Sequence, residues 1–228
     1  MDILIVTLKE WNIKRAKFYR KIFSNFITTH IITKKEDLTI NNIEKIKPDY
    51  IFFVHWSYYI NEAIFNNYMC IGFHTGDLPY GKGGSPIQNL ISRKIYKTKI
   101  SAFKVSKNLD SGEILMKYPI KLNGSCYEIL DNISRIIFTE MIPRITSGRY
   151  ILTKQEGREL SFKRRTPEES EIKSDYSLID IYDYIRMLDC PGYPSAFLKF
   201  GTFKLSFKNA KIKGGKIFTD CIVERSKD

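Results

Sequence analysis

The chain has 228 residues, 43% of them hydrophobic and 27% charged, and Lys plus Arg outnumber Asp plus Glu by 37 to 25 for a formal net charge of +12. That length suits one ordinary domain, or one with a small appendage, and it allows roughly 70% of the unfolded surface to be buried without metals or disulfides. No apolar run is long enough to span a bilayer, Met1-Asp-Ile-Leu-Ile-Val-Thr7 has neither a basic leader nor a cleavage site, and the scattered Cys70, Cys126, Cys190 and Cys221 lack zinc-site spacing; a cytoplasmic, metal-free protein with reduced thiols and no membrane partner is expected.

Asp2–Leu8 is a short apolar run and predicts the first strand. Ile13–Phe26 has helical spacing, and Phe26–Thr33 is rich in β-branched residues and predicts a second strand. A helix over Thr39–Ile46 ends at Pro48-Asp49, and the continuous apolar run Tyr50–Val54 suits a strand covered on both faces. A helix near Asn61–Asn66 and a strand at Met69–Phe73 follow. This alternation implies βαβ units and a mainly parallel, Rossmann-like α/β sheet with helices on both faces.

Gly81, Gly83 and Gly84 break the pattern before Ser85-Pro86, which reads as an N-cap followed by a first-turn proline on a helix reaching Arg93. Lys99–Ser106 and Glu113–Lys121 predict two strands around a turn at Asp110. Ser125-x-x-Glu128 is a capping-box pattern opening a long helix with Ile129, Ile133, Ile137 and Met141 toward the core. Composition shifts at the polar stretch Ser147–Gly157, which separates a catalytic domain, 1–150, from a small C-terminal α+β region, 151–228. In that region Ile181, Tyr184, Ile185 and Leu188 have helical spacing, and Phe197–Phe207 and Ala210–Val223 alternate like a small antiparallel piece turning at Gly214-Gly215.

His74 follows a strand that should end at the carboxyl edge of the sheet, where open α/β folds bind ligands. Asp110 lies in the turn Leu109-Asp-Ser-Gly112. Each residue has a purely structural explanation, a histidine ending a loop and an aspartate making an Asx-turn. Together they are a plausible acid–base pair. The basic residues are spread along the chain with no block of five, so no nucleic-acid partner is expected.

The segments Gly72-Phe-His74-Thr-Gly-Asp-Leu-Pro79, Gly81-Lys-Gly-Gly-Ser-Pro-Ile-Gln88 and Asp110-Ser-Gly112 resemble the folate-dependent formyltransferases, whose strand ends Asn-x-His-x-Ser-Leu-Leu-Pro ahead of a glycine-containing loop and an Asp-x-Gly turn. The resemblance covers most of 1–150. It implies that a substrate amine takes the formyl group of N10-formyltetrahydrofolate, that Asp110 accepts the amine proton and orients His74, and that His74 steadies the developing oxyanion and passes a proton to the departing N10. The family's Asn falls on Gly72 here. His55 is the preferred replacement, with Asn89 and Thr75 as further candidates; loss of transferase activity is the other consequence. The resemblance also implies a pterin pocket walled by Trp56, Ser57 and Ile60, with Leu78, Leu109 and Gly112 opposite.

Three branches compete for the acceptor. The purine-synthesis enzyme carries a glycine-rich phosphate loop where this chain has Thr7-Leu-Lys-Glu-Trp-Asn12, and the methionyl-tRNA enzyme carries a larger C-terminal barrel. The sugar N-formyltransferase branch is resembled by Arg164-Arg-Thr-Pro-Glu-Glu-Ser170, Ile185-Arg186 and Pro191-Gly-Tyr-Pro-Ser-Ala-Phe197, and its pseudaminic-acid-pathway subgroup by the fused glycine loop. On that resemblance the expected partner is a nucleotide-linked amino sugar for a bacterial surface glycan, bound by Lys9, Trp11, Asn12, Lys82, Arg165 and Arg186. The C-terminal strands would supply a homodimer interface, as is common in that branch. A formyltetrahydrofolate hydrolase, a methionyl-tRNA-type formyltransferase and a non-catalytic folate- or nucleotide-binding protein are the alternatives.

Overall fold

In the computed structural model, which describes residues 1–226, the central feature is a six-stranded sheet. Its strands are β1 (Asp2–Val6), β2 (Thr28–Ile32), β3 (Tyr50–Phe53), β4 (Cys70–Thr75), β6 (Lys97–Lys104) and β7 (Ile114–Lys121), in the order β2-β1-β3-β4-β6-β7. The first four run parallel, and β6 pairs antiparallel with β4. Ile3 to Val6 and Ile51 to Phe53 are buried, which is why these segments read as continuous apolar runs and not as an alternation. The connecting helices are α1 (Glu10–Ile22), α2 (Ile40–Ile46) and α3 (Glu62–Asn67). Thr39 and Asn61 cap α2 and α3 through their side chains, whereas Lys9, at the start of α1, makes no such bond. Leu4, Val6, Ile43, Ile51, Phe53 and Ile64 form a core cluster, and Trp56 and Ile60 pack against it.

Beyond β4 the chain makes β5 (Tyr80–Gly83), which pairs with β8 (Leu160–Phe162), and then α4 (Pro86–Ile91). Ser85 makes no side-chain cap; its φ is 50°, and its hydroxyl accepts from the Arg165 amide instead. Ser125 and Glu128 form the expected reciprocal bonds at the head of α5 (Cys126–Ile136). The helical path continues through a π stretch, Ile137–Met141, into α6 (Ile142–Thr146). Pro143 lacks the N–H needed for a regular ladder, which accounts for the wider turn ahead of it. Ile129, Ile133, Ile137 and Met141 are buried as their spacing requires.

The remaining elements are α7 (Leu178–Leu188) and a three-stranded antiparallel sheet of β9 (Ala196–Phe200), β10 (Phe203–Lys213) and β11 (Lys216–Arg225). Within Phe197–Phe207 the chain folds back at Gly201, which has φ 57°, so β9 and β10 form one hairpin and β10 and β11 a second. The chain divides into two compact units by interleaving and not by a single cut near 150. One comprises Met1–Lys82, Thr98–Ile120 and Asp131–Ser161; the other comprises Gly83–Lys97, Lys121–Leu130 and the chain from Phe162 onward. Among the described residues no helix is long and apolar enough to cross a membrane.

Candidate active site at the carboxyl edge of the sheet

His74 lies near the end of β4, two residues past the last register pair with β3, and is 7% exposed. Its Nε2 is 2.7 Å from the Gly81 carbonyl oxygen, and its Nδ1 is 3.4 Å from Oδ2 of Asp110. Carbonyl oxygens only accept, so Nε2 carries the hydrogen in that bond. The turn beyond His74 is fastened by Ser101, whose hydroxyl donates to the Gly76 carbonyl at 2.6 Å and accepts from the Leu78 amide at 3.3 Å. Gly76 is required here for space. A Cβ at that position would sit 2.9 Å from Cδ2 and 3.0 Å from Nε2 of the His74 ring.

Asp110 has φ 50°, a left-handed conformation that aspartate tolerates better than most residues. Its turn is clamped by Gln155, whose Nε2 donates to the carbonyls of Asp110 and Gly112, both at 2.8 Å. A Cβ on Gly112 would fall 1.7 Å from the Lys104 carbonyl oxygen, so the glycine of the Asp-x-Gly turn serves close backbone approach. Sequence reasoning missed Gly76, Gln155 and the Gly81 carbonyl. Two act through backbone or empty space, and Gln155 comes from a polar connection with no pattern of its own.

A second nest surrounds His55, also at φ 50°. Asn12 Nδ2 lies 2.8 Å from His55 Nδ1, the Trp11 ring meets His55 edge-on at 6.5 Å, and the Lys9 ammonium stands 5.8 Å from the Trp11 ring. Burial, assisted by the Lys9 charge, pushes the His55 pKa down to about 4. The residue as a whole is partly exposed, but Nε2 itself is buried and has no hydrogen-bond partner; the same is true of Thr7 Oγ1, Asn12 Oδ1 and Trp56 Nε1. The structure thus brings three of the proposed substrate contacts, Lys9, Trp11 and Asn12, around one histidine. At Gly72 a Cβ would lie 2.7 Å from Cζ of Phe103, directly opposite in the β4–β6 register. Phe103 therefore fills the space an asparagine side chain would need.

The other expected residues divide. Trp56 and Ile60 are partly buried, Trp56 within 6.0 Å of the Phe53 ring, while Ser57 is exposed. Leu109 is 72% exposed beside Asp110. Leu78, in contrast, is sealed in a core cluster with Phe103 and Ile114, so its side chain is packing and not a pocket wall. The Lys82 ammonium pairs with Glu159 at 2.8 Å. Arg186 is corrected from substrate contact to structural anchor. It is 6% exposed, bonded to Asp183 at 2.8 Å and to the carbonyls of Leu122 and Gly124 at 2.7 and 3.0 Å. Arg165 folds back on the Glu169 carbonyl and over the Tyr184 ring at 5.3 Å. Asn89 spends its amide on the carbonyls of Gly84, Ser85 and Lys163 and its oxygen on Arg93, which removes it as an oxyanion donor. Thr75 is buried. A cleft of about 730 Å³ is lined by β7 and the segment 148–156 and includes none of His74, Asp110 or His55. A smaller one of about 310 Å³ includes Lys82, Ser111 and Gln155, beside the Asp110 turn.

Comparison with known proteins places this geometry in a family. Residues 167–224 match the family described as methionyl-tRNA formyltransferase, C-terminal domain. A solved structure of methionyl-tRNA formyltransferase from Clostridium thermocellum is 48% identical, with TM-score 0.96, over 99% of this chain and 100% of that one. A curated methionyl-tRNA formyltransferase from Kosmotoga olearia is 24% identical over 80% of this chain and 59% of its own length. A 4-N formyltransferase from Francisella tularensis shares the fold at TM-score 0.69 and 16% identity, over 100% of this chain and 98% of that one. The chain spans 55 to 59% of the length of the first curated relatives it matches. These relatives overturn the expectation that no nucleic acid is a partner. The methionyl-tRNA formyltransferases among them are named for a tRNA substrate, and an even spread of lysines does not exclude one. With an end-to-end match at 48% identity, the chain belongs to the methionyl-tRNA formyltransferase-like family of formyltransferases.

Proposed function

We propose that this chain transfers a formyl group from N10-formyltetrahydrofolate to a primary amine, and that the amine is the α-amino group of an aminoacyl-tRNA of the methionyl type. The observation that carries the chemistry is the buried His74–Asp110 pair at the carboxyl edge of a parallel sheet. The acceptor rests on the 48% identical relative named for methionyl-tRNA, on the +12 net charge, and on Arg186 being spent inside the fold instead of being held out for a nucleotide diphosphate.

The residues present suit a folate. Partly buried Trp56 and Ile60 offer apolar wall, and the orphaned buried Trp56 Nε1 and His55 Nε2 are donors for a polar ring edge or carbonyl. When bound, formyltetrahydrofolate supplies the activated one-carbon unit. A carboxylate only accepts, so Asp110 is the group that takes the proton from the attacking amine, which must be neutral to react. His74 Nδ1, 3.4 Å away, holds that proton within reach for delivery to the departing nitrogen. The Gly81 carbonyl on Nε2 fixes the ring and commits that nitrogen, so His74 is a proton carrier and not an oxyanion donor.

The test is tetrahydrofolate release with methionyl-tRNA as acceptor, beside a panel of UDP-, CMP- and dTDP-linked amino sugars. Release that requires methionyl-tRNA and is lost in His74→Asn and Asp110→Asn is expected. Release with an amino sugar alone would overturn the acceptor, and release without any amine would mark a hydrolase.

A further inference from the structure

Both ring nitrogens of His74 face protein acceptors, one on the Gly81 carbonyl and one on Asp110. The formyl oxygen, which gains charge as the amine adds, therefore needs a donor from elsewhere. Gly72 has no side chain, and Phe103 fills the space beside it. Among the described residues Thr7 Oγ1, His55 Nε2 and Trp56 Nε1, which follow β1 and β3, are buried donor atoms with no partner, and of these the His55 ring is the one that a neighbouring side chain, Asn12, orients. β3 and β4 run parallel with Phe53 opposite Gly72; His74 lies two residues beyond Gly72 within β4, and His55 two residues beyond Phe53 in the bend that follows β3, so both come from the carboxyl ends of neighbouring strands. An amide –NH2 group only donates, so His55 Nδ1 accepts from Asn12, and the proton of the neutral ring sits on Nε2. That Nε2 is buried and unbonded.

We propose that His55 is a catalytic residue whose Nε2–H donates to the formyl oxygen, and that Asn12 is the positioning residue that fixes the tautomer presenting this proton. The inference rests on the formyl-transfer reading and adds to it the group that stabilises charge. The acceptor nitrogen bonds to the formyl carbon while the carbonyl π pair moves to oxygen. On collapse that pair returns and the bond to N10 breaks, with one proton passing from the acceptor nitrogen to N10 through Asp110 and His74. His55 gives up no proton at any stage. Its low pKa keeps it a neutral donor across the working range, with Lys9 as the nearby charge opposing protonation. A donor that stays neutral across the working range, together with a separate proton carrier, divides two tasks that a single histidine could not hold at once.

The experiment uses a 10-formyl folate analogue in which carbon replaces N5 and N8, carrying a ¹³C-labelled formyl group, so that no acceptor is needed. The wild-type carbonyl stretch should move to lower frequency on binding. The shift should vanish in His55→Leu, return in part in His55→Gln, which places an N–H near the same point, and weaken in Asn12→Leu. The chain has three histidines, so ¹⁵N-histidine spectra report the tautomer directly; His55 should show a protonated Nε2 that shifts with the analogue, and Asn12→Leu should give mixed tautomers. With the acceptor identified, kcat should fall roughly 10²–10³-fold in His55→Leu with little change in KM. An unchanged carbonyl shift in His55→Leu that still binds the analogue, or a His55 ring protonated on Nδ1, would overturn this inference alone. Failure of the wild-type protein to bind the analogue would overturn formyl transfer and this inference with it.

Discussion

His55 stands at φ 50° with its polar atoms turned inward, a combination that costs stability and is retained only where the surroundings over-determine it. Its titration gives the first prediction. The unfolded chain takes up the imidazole proton near pH 6.5, the folded protein only near pH 4. Between those values the unfolded state binds more protons, so the contribution is complete above pH 6.5 and is lost as pH falls toward 4. The loss is on the order of 2 kcal/mol, less than full burial would give because the residue is partly exposed. Urea unfolding at pH 7.5 and pH 5 should show this drop in the wild type and a smaller one in His55→Gln; equal drops would mean that His55 is not the group responsible. A second prediction concerns the missing asparagine. Gly72→Asn alone should destabilise by roughly 1–3 kcal/mol, because Phe103 occupies the space, and Phe103→Ala in the same chain should recover part of that loss. Additive losses in a double-mutant cycle would contradict the packing argument. Gly76→Ala should displace the His74 ring and lower kcat about tenfold or more with the melting temperature little changed, since the two closest approaches are to that ring and the Tyr80 carbonyl oxygen stands further off at 3.2 Å.

At the scale of elements, two devices hold the chemistry in place and differ in how visible they are in the sequence. The parallel strands declare themselves by apolar runs punctuated by helices, and His74 and Asp110 by the glycine turns around them. Gln155 declares nothing. It sits in the polar connection 147–157 and matters only because the fold brings it to two carbonyls of the Asp110 turn. Gln155→Ala should leave the fold intact and reduce kcat several-fold, and Gln155→Glu, which keeps the shape but loses the donors, should do the same. Arg186 was misread for a different reason. The sequence offered an arginine in a region resembling sugar-binding relatives, yet the informative signal was Asp183 three residues earlier, an i,i+3 pair on one helix face. With side chains 7% and 2% exposed, breaking that pair by Arg186→Met should cost about 3–5 kcal/mol. Thermal melts would register it, while KM for the acceptor should be unchanged at temperatures where the variant is folded; a large rise in KM without loss of stability would return Arg186 to the substrate.

The charge of the whole molecule bears on the acceptor. An excess of 12 positive charges spread along the chain gives no local motif, which is why the sequence alone argued against a nucleic acid. Diffuse charge nonetheless acts collectively on a polyanion. Each phosphate that a protein neutralises on RNA releases condensed counterions, so affinity falls steeply with salt in proportion to the number of contacts. A tRNA held through about six phosphates should lose on the order of 10³-fold in affinity between 50 and 200 mM salt. A nucleotide-linked sugar carries only one or two phosphates and no condensed counterion atmosphere, so its affinity should fall far less over the same range. Measuring the Kd of the productive acceptor across that range therefore tests the mode of recognition independently of turnover. The steep dependence is expected here. A shallow one, with methionyl-tRNA as the productive acceptor, would mean that recognition is carried by the aminoacyl end and not by the RNA backbone.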